Sequence, residues 1–285
     1  MKIAAAQIAC ALGDLDANLR KIRDFSARAK EGGAGLIVFP EMVDTGYAMP
    51  VIQACARPWS EGAVPELQKA AKSLSIAIIC GVSERDAASI YNSQVFIGAN
   101  GKVVGSYRKT HLFTAAPIGE DKCFSPGNEL TSFPFGGLRL GLSICYDLRF
   151  PEVYQTLAIE EEVNVFILSS AWPFPRVEHF RILAVARAIE NQSYVIVSNR
   201  VGVDDGVTFC GSSAIIDPYG VTIASASADR EELVQAEISE EAVSSVRNRM
   251  AVFAQRRPGL YGQARDNRQG RASGASDYLQ TRSLE

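Results

Sequence analysis

Histidine is almost missing from this chain: two in 285 residues, His111 and His179. Chemistry that leans on several imidazoles, whether as metal ligands or as proton shuttles, has little to work with. There is no CxxC pair, which together with the histidine count speaks against a structural zinc site. The six cysteines, Cys10, Cys55, Cys80, Cys123, Cys145 and Cys210, are scattered through a chain too long to need disulfides. That usage predicts reduced thiols and a cytoplasmic setting. No GxSxG elbow is present, so a serine hydrolase of that type is excluded. No GxGxxG is present either: Gly32-Gly33-Ala34-Gly35 has the wrong spacing and ends a helical pattern. No stretch approaches the roughly 18 consecutive apolar residues of a membrane span. Met1-Lys2-Ile3 runs straight into a strand pattern, so no signal peptide is expected. A net charge of -3 supplies no electrostatic reason to expect nucleic acid or an anionic membrane as partner.

What is present is ordinary globular material, 47% hydrophobic and 21% charged, long enough to bury a sizeable core. Ile3 to Cys10 has a strand pattern, and Asp14 to Lys30 a helical one. Leu36 to Phe39 is a buried strand ending in Pro40-Glu41. A helix over Pro65 to Leu74 and a strand over Ile76 to Cys80 follow. Asn92 to Ile97 and Lys102 to Tyr107 then form a hairpin around Asn100-Gly101. Thr110 to Glu129 is a long irregular connection, of the kind that is usually functional or disordered.

The plan then repeats. Leu138 to Ile144 is a strand, Glu152 to Glu161 a helix and Val163 to Ser169 a strand. Glu178 to Glu190 is a helix and Ser193 to Ser198 a strand, and a hairpin runs through Pro218-Tyr219-Gly220. Each β-α-β step implies parallel pairing. Residues 1–260 read as one α/β domain of two similar halves. From Arg256 the chain loses apolar content, so 261–285 reads as a C-terminal tail, extended or partly disordered.

Three ionisable residues follow apolar strands: Glu41, Lys109 and Cys145. In open α/β sheets, chemistry gathers at the carboxyl ends of strands. Singly, each has a bland explanation: a solvated loop acid, a surface basic pair with Arg108, and a small buried hydrophobe. An acid, a base and a thiol all placed this way is harder to dismiss. A cysteine attacks as the thiolate, and a nearby carboxylate can take its proton, with no histidine required. An ammonium and a backbone N–H can stabilise the oxyanion of acyl transfer. The turn after Ile144 would also set backbone N–H groups and a helix dipole against the sulfur, which lowers a thiol pKa.

The segments that hold these residues are FPEMVDTGY with Glu41, YRKTHLF with Lys109 and GLSICYDLRFPE with Cys145, in that order. On them the chain resembles the carbon–nitrogen hydrolase (nitrilase) superfamily, from AAAQIA near the start to RRPGLYG. The resemblance implies a four-layer α-β-β-α sandwich with two similar halves and a Glu-Lys-Cys triad needing no cofactor or metal. Glu41 would be the general base, Lys109 the stabiliser of the tetrahedral intermediate, and Cys145 the nucleophile of a thioester that water cleaves. Tyr146 would lend its backbone N–H to the oxyanion. Glu120, in PIGEDKCFSPG, matches a further family glutamate that orients the lysine or the water. Asp147 and Glu152 would hold the turn in shape. The superfamily commonly dimerises through helices of its second half, which makes Arg187 to Glu190 and the tail the candidate interface of a homodimer.

Residues after the other strand ends are expected to line the pocket: Tyr47, Phe113, Tyr146, Trp172, Pro173, Arg176, Asn199 and Arg200. Arg176 follows a proline-stiffened turn, and arginine grips carboxylates in a bidentate fork. A small-molecule amide with a carboxylate at its far end is the substrate this suggests, as in the ω-amidase branch. An ion pair of Arg176 with Glu178 or Asp204 is the competing explanation. The same triad serves N-carbamoyl hydrolases and true nitrilases. A non-catalytic binding protein on this fold would have lost a triad position, and none is lost.

Overall fold

The computed structural model describes residues 1–261; the tail expected over 261–285 lies, beyond its first residue, outside the described residues. Met1–Arg249 forms one unit, and the chain from Met250 begins a second. In chain order the first unit runs β1 (Lys2–Gln7), α1 (Leu15–Glu31), β2 (Leu36–Val38), α2 (Met49–Cys55), α3 (Val64–Leu74), β3 (Ala77–Asp86), β4 (Ser89–Ile97) and β5 (Val103–Arg108). It continues with β6 (Ser132–Phe135), β7 (Leu138–Ile144), α4 (Pro151–Glu160), β8 (Val165–Ser170), α5 (Val177–Asn191) and β9 (Tyr194–Asn199). The short pair β10 (Val203–Asp204) and β11 (Val207–Thr208) precedes β12 (Ala214–Ile216), β13 (Thr222–Ser225), β14 (Glu232–Glu237) and α6 (Glu240–Arg249). In the second unit Pro258–Tyr261 forms a helical turn.

Two six-stranded mixed sheets result, ordered β14-β1-β2-β3-β4-β5 and β13-β12-β9-β8-β7-β6. Each has three parallel strands at its centre, β1-β2-β3 in one and β7-β8-β9 in the other. Each continues through an antiparallel hairpin on one side and ends in one antiparallel strand on the other. The repeat legible in the sequence is therefore real, with one exchange. The outer strand of the second sheet, β6, comes just before β7, whereas its counterpart beside β1 is β14, from the far end of the unit.

Local chemistry explains the elements. Asp14 caps α1 by accepting the Ala17 N–H at 2.9 Å. One stripe of α1 (Ile22, Phe25, Ala29) and one of α3 (Leu67, Ala70, Ala71) share a buried cluster with Ala4, Ala6, Ile37 and Ile78 of the first sheet. On the second sheet, Tyr154 of α4 lies edge-on to Phe166 of β8 at 5.0 Å and donates to Ser143 Oγ of β7 at 3.0 Å. Between the sheets, side chains bond to one another and to the backbone across the gap. Gln94 Nε2 donates to Ser169 Oγ at 2.7 Å, and that hydroxyl donates to the Phe39 carbonyl at 2.6 Å. Ser198 Oγ reaches the Ala6 carbonyl at 2.6 Å, and Ser213 N–H reaches Gln7 Oε1 at 2.9 Å. The fold is a four-layer α-β-β-α sandwich. No helix among the described residues is long and apolar enough to cross a membrane.

Candidate active site

The expected acid, base and thiol all leave strand ends on one side of the sandwich. Glu41 stands in a tight turn just past β2, Lys109 is the first residue after β5, and Cys145 the first after β7. Lys109, Glu41 and Glu120 have no exposed side-chain surface. Lys109 Nζ donates to Glu41 Oε1 at 2.9 Å and to Glu120 Oε1 at 2.7 Å. Glu41 Oε2 accepts the Ala171 N–H at 2.7 Å. Glu120 Oε1 also takes the Tyr47 hydroxyl at 2.6 Å, and its Oε2 takes the Phe113 N–H at 2.6 Å. Glu120 thus joins the ammonium to the irregular connection that carries Phe113.

Two carboxylates facing one ammonium set the electrostatics. Burial works against the Lys109 ammonium, but Glu120 and then Glu41 outweigh it and hold the lysine above its ordinary pKa. Burial pushes the Glu41 carboxyl up against the opposing pull of Lys109, and Glu120 pushes it further. Cys145 departs from expectation. Burial raises its thiol well above an ordinary cysteine, and Glu41 adds to the rise more than Lys109 offsets it. The turn expected to ionise the sulfur is a single 3₁₀ stretch, Cys145–Arg149, ahead of α4. Burial beside two acids thus favours the neutral thiol over the thiolate.

The nucleophile turn is strained and tied down. Cys145 has φ +44°, a left-handed conformation that costs a non-glycine residue energy. Asp147, fully buried, accepts the Ile144 N–H at 2.9 Å and the Tyr107 hydroxyl at 2.8 Å on Oδ2. It was expected to shape this turn. Glu152, expected to share that task, is exposed in the first turn of α4.

Cys145 opens onto a cavity lined by Tyr47, Phe113, Tyr146, Trp172, Pro173 and Arg176. These six were expected there; Ile118, Arg149 and Ala171 complete the lining. Asn199 and Arg200 are corrected by the structure. Asn199 lies buried behind the wall, its Oδ1 accepting the Trp172 N–H at 2.8 Å and its Nδ2 donating to the Gly211 carbonyl at 2.7 Å. Arg200 is buried too, paired with Asp204 at 2.5 Å beneath the Phe209 ring. Asn199 ends β9 and Arg200 follows it, where the chain stays buried. Arg187 is likewise not a surface residue: it is buried and donates to the Leu148 carbonyl at 2.9 Å.

Arg176 makes neither of the ion pairs considered for it. Glu178 pairs with Arg181, Asp204 with Arg200, and the Arg176 guanidinium lies over the Phe113 ring at 5.4 Å. Arg149 is the lining residue that sequence reasoning passed over. It sits over Trp172 at 4.8 Å, and although it lies within GLSICYDLRFPE, nothing in a linear pattern aims it at the cavity. Asn92, which binds both glutamates, was hidden for another reason: it occupies a mid-strand position with no motif of its own.

Comparison with known proteins agrees with this geometry. The 2-oxoglutaramate amidase of Bacillus subtilis (strain 168) is 33% identical over 260 residues, 91% of this chain and 98% of that protein. Omega-amidase NIT2 of Homo sapiens is 30% identical over 253 residues, 86% of this chain and 91% of that one. Among solved structures, an amidase from Nesterenkonia sp. AN1 superposes with a TM-score of 0.82 at 26% identity, covering 92% of this chain and 95% of the other. That structure is a glutamate-to-glutamine mutant showing covalent addition of the acetamide moiety of fluoroacetamide at its active-site cysteine. The carbon-nitrogen hydrolase family matches residues 2–248. This chain belongs to the carbon–nitrogen hydrolase family and is a hydrolase of carbon–nitrogen bonds other than peptide bonds.

Proposed function

We propose that the enzyme hydrolyses a small amide bearing a carboxylate at its far end, to the acid and ammonia, in the manner of an ω-amidase. The observation that carries this reading is the charge of the pocket. The charged side chains lining it are Arg149 and Arg176, and neither has a carboxylate partner among the described residues. The activities for which the Bacillus and human relatives are named point the same way.

In this reading Cys145 Sγ attacks the amide carbon while its proton passes to Glu41. A neutral thiol beside a carboxylate whose own pKa is raised suits transfer during attack, because no buried thiolate has to persist alone. Lys109 and the Tyr146 N–H hold the oxyanion, donors whose individual removal typically costs about 10²–10³ in rate. Glu41 returns the proton to the departing nitrogen, and ammonia leaves a thioester. Water then attacks the thioester, Glu41 takes its proton, and the acid leaves as the thiol is restored. Glu120 keeps Lys109 charged and aimed.

The proposal extends to a homodimer and to a reducing, cytoplasmic setting. Ile182 and Ile189 of α5 are 62% and 53% exposed, Ile189 lies close to Gly220 of the β12–β13 turn, and all six cysteines are free. Sedimentation of the purified protein tests the dimer, with Ile182→Arg expected to yield monomer.

The substrate test is a panel of carboxylated and neutral small amides, carbamoyl compounds and nitriles. Ammonia and CO₂ are both measured, with Cys145→Ala as blank. Arg176→Ala is expected to lose about 10–100-fold in kcat/KM on carboxylated amides, the worth of one charged hydrogen-bonded contact, and little on neutral ones. Equal losses on both classes would overturn the assignment, and CO₂ released with the ammonia would move it to a carbamoyl hydrolase.

A further inference from the structure

Glu41 Oε1 is held by two donors at once. Lys109 Nζ reaches it at 2.9 Å and Asn92 Nδ2 at 2.6 Å. The same two donors meet again on Glu120 Oε1, at 2.7 Å from Lys109 and 3.3 Å from Asn92. Asn92 also accepts the Lys109 main-chain N–H on its own carbonyl at 2.8 Å, so one residue of β4 is tied to all three charged groups. The amide cannot be reversed, because its oxygen would then face two carboxylate oxygens. Its Oδ1, buried, has no hydrogen-bond partner among the described residues. An amide left half-unsatisfied in the interior is a penalty, and a side chain there only to fill space would better be apolar.

A carboxylate oxygen offers two lone-pair sites. On Glu41 Oε1 both are taken by short bonds from Lys109 and Asn92, as they are on Glu120 Oε1 by Lys109 and the Tyr47 hydroxyl, where Asn92 comes third and longest at 3.3 Å. Oε2 accepts one bond, from the N–H of Ala171, and keeps one site open. Ala171 is part of the cavity wall with Cys145, so the open site belongs to the oxygen on the substrate side.

We propose that Asn92 is a positioning residue that selects Oε2 as the proton-accepting atom of Glu41 by saturating Oε1 together with Lys109. The inference rests on Glu41 being the general base. Without Asn92, Oε1 has a free site beside Lys109 and the carboxylate can rotate toward it. Glu41 also loses a donor that favours its ionised form.

The test reads Cys145 directly and needs no substrate. Alkylation of Cys145 by iodoacetamide is followed by peptide mass spectrometry from about pH 4 to 9, a range that extends upward from an ordinary carboxylate pKa. It is measured in the wild type, Asn92→Leu, Asn92→Ser and Glu41→Gln, with thermal unfolding to confirm each fold. In Asn92→Leu the acid limb is expected to move up by about one pH unit, a tenfold change in proton affinity, with the plateau rate at least tenfold lower. Asn92→Ser carries the same expectation should the leucine variant fail to fold. An acid limb unmoved in the folded variant, or a loss by the same factor at every pH, would overturn the proposal. Glu41→Gln alkylating with the wild-type profile would instead overturn the general-base assignment, which separates the two failures.

Discussion

Asp147 Oδ2 accepts the N–H of Ile144 at 2.9 Å, so the residue two places after the nucleophile clamps the residue just before it. Cys145 is held between them at φ +44°. Asp147 also takes the Tyr107 hydroxyl at 2.8 Å, the Thr110 hydroxyl at 3.2 Å and the His111 N–H at 3.1 Å, all close in sequence to Lys109. One buried carboxylate therefore joins the nucleophile turn to the lysine turn. Asp147→Asn would set an NH₂ group against donors on one side or the other. We predict a loss of about 2–4 kcal/mol, counting charged hydrogen bonds at about 1.5–3 kcal/mol each and allowing partial retention. At about 2–4 °C per kcal/mol for a protein of this size, Tm should fall by roughly 5–15 °C. Calorimetry alongside an activity assay checks both, and an unchanged Tm would show that the clamp stabilises nothing.

Gly81 permits the turn that carries Glu41. A Cβ there would lie 2.5 Å from the Pro40 carbonyl oxygen and 2.6 Å from Glu41 Cα, both backbone atoms that cannot swing aside. The strand and the turn are also bonded, Gly81 N–H to the Pro40 carbonyl at 3.0 Å and Val43 N–H to the Gly81 carbonyl at 2.9 Å. Gly81→Ala should displace Glu41 from Lys109 and Ala171. Misplacing a catalytic group by about 1 Å can cost on the order of 10² in rate, and overpacking costs about 1–3 kcal/mol in stability. Activity is expected to fall further than stability alone would explain. A variant that folds and turns over like the wild type would show that the turn has room to move.

Glu41, Lys109 and Cys145 were legible because each follows an apolar run, and a strand end is one of the few places where a linear pattern fixes a three-dimensional location. The two-fold plan was legible for the same reason, since strand and helix periods differ. Asn92 was not, because a polar residue in a half-buried strand has no periodic signature that separates a ligand of two carboxylates from an inert amide. Nor was β14, whose pairing with β1 joins residues more than two hundred positions apart. The direction of the Cys145 shift was missed because local sequence suggests a helix terminus, whereas burial depends on how the two sheets close over the site. Arg149 and Asn199 exchanged places with respect to the cavity, a matter of how the chain turns at the end of each strand.

Asp44 gives the fold a pH dependence of definite sign. Burial lifts its carboxyl from 3.8 to about 6 despite bonds from Ser83 N–H and Ser83 Oγ. A raised carboxyl means the folded state holds its proton where the unfolded chain has lost it. The favourable contribution is complete below about pH 4 and disappears as pH rises through about 6. Asp44→Asn is uncharged throughout, so relative to the wild type it should gain about 1–2 kcal/mol between pH 5 and 7, at 1.36 kcal/mol per unit. Urea unfolding of both proteins at the two pH values measures this difference. A relative gain in the opposite direction would mean that Asp44 is held ionised by its serine contacts.

Glu120 is the acid for which the amide isostere fits worst. Its Oε1 receives Lys109 Nζ, the Tyr47 hydroxyl and Asn92 Nδ2, and its Oε2 receives the Phe113 N–H. All four are donors. Glu120→Gln must put its own NH₂ against either the ammonium side or the Phe113 N–H, so neither amide orientation satisfies the site. If the NH₂ turns toward Phe113, the connection carrying Phe113 and Ile118 is pushed off the cavity and KM rises. If it turns toward Lys109, the ammonium loses an anionic partner and moves off its aim, and kcat falls. Either way we expect kcat/KM to drop by about 10²–10³, the scale for an oxyanion donor put out of place. Glu120→Asp, which keeps the charge and shortens the reach, should retain more activity than Glu120→Gln. Steady-state kinetics of the two variants decide this: glutamine outperforming aspartate would mean that the carboxylate's charge is not what holds Lys109 in position.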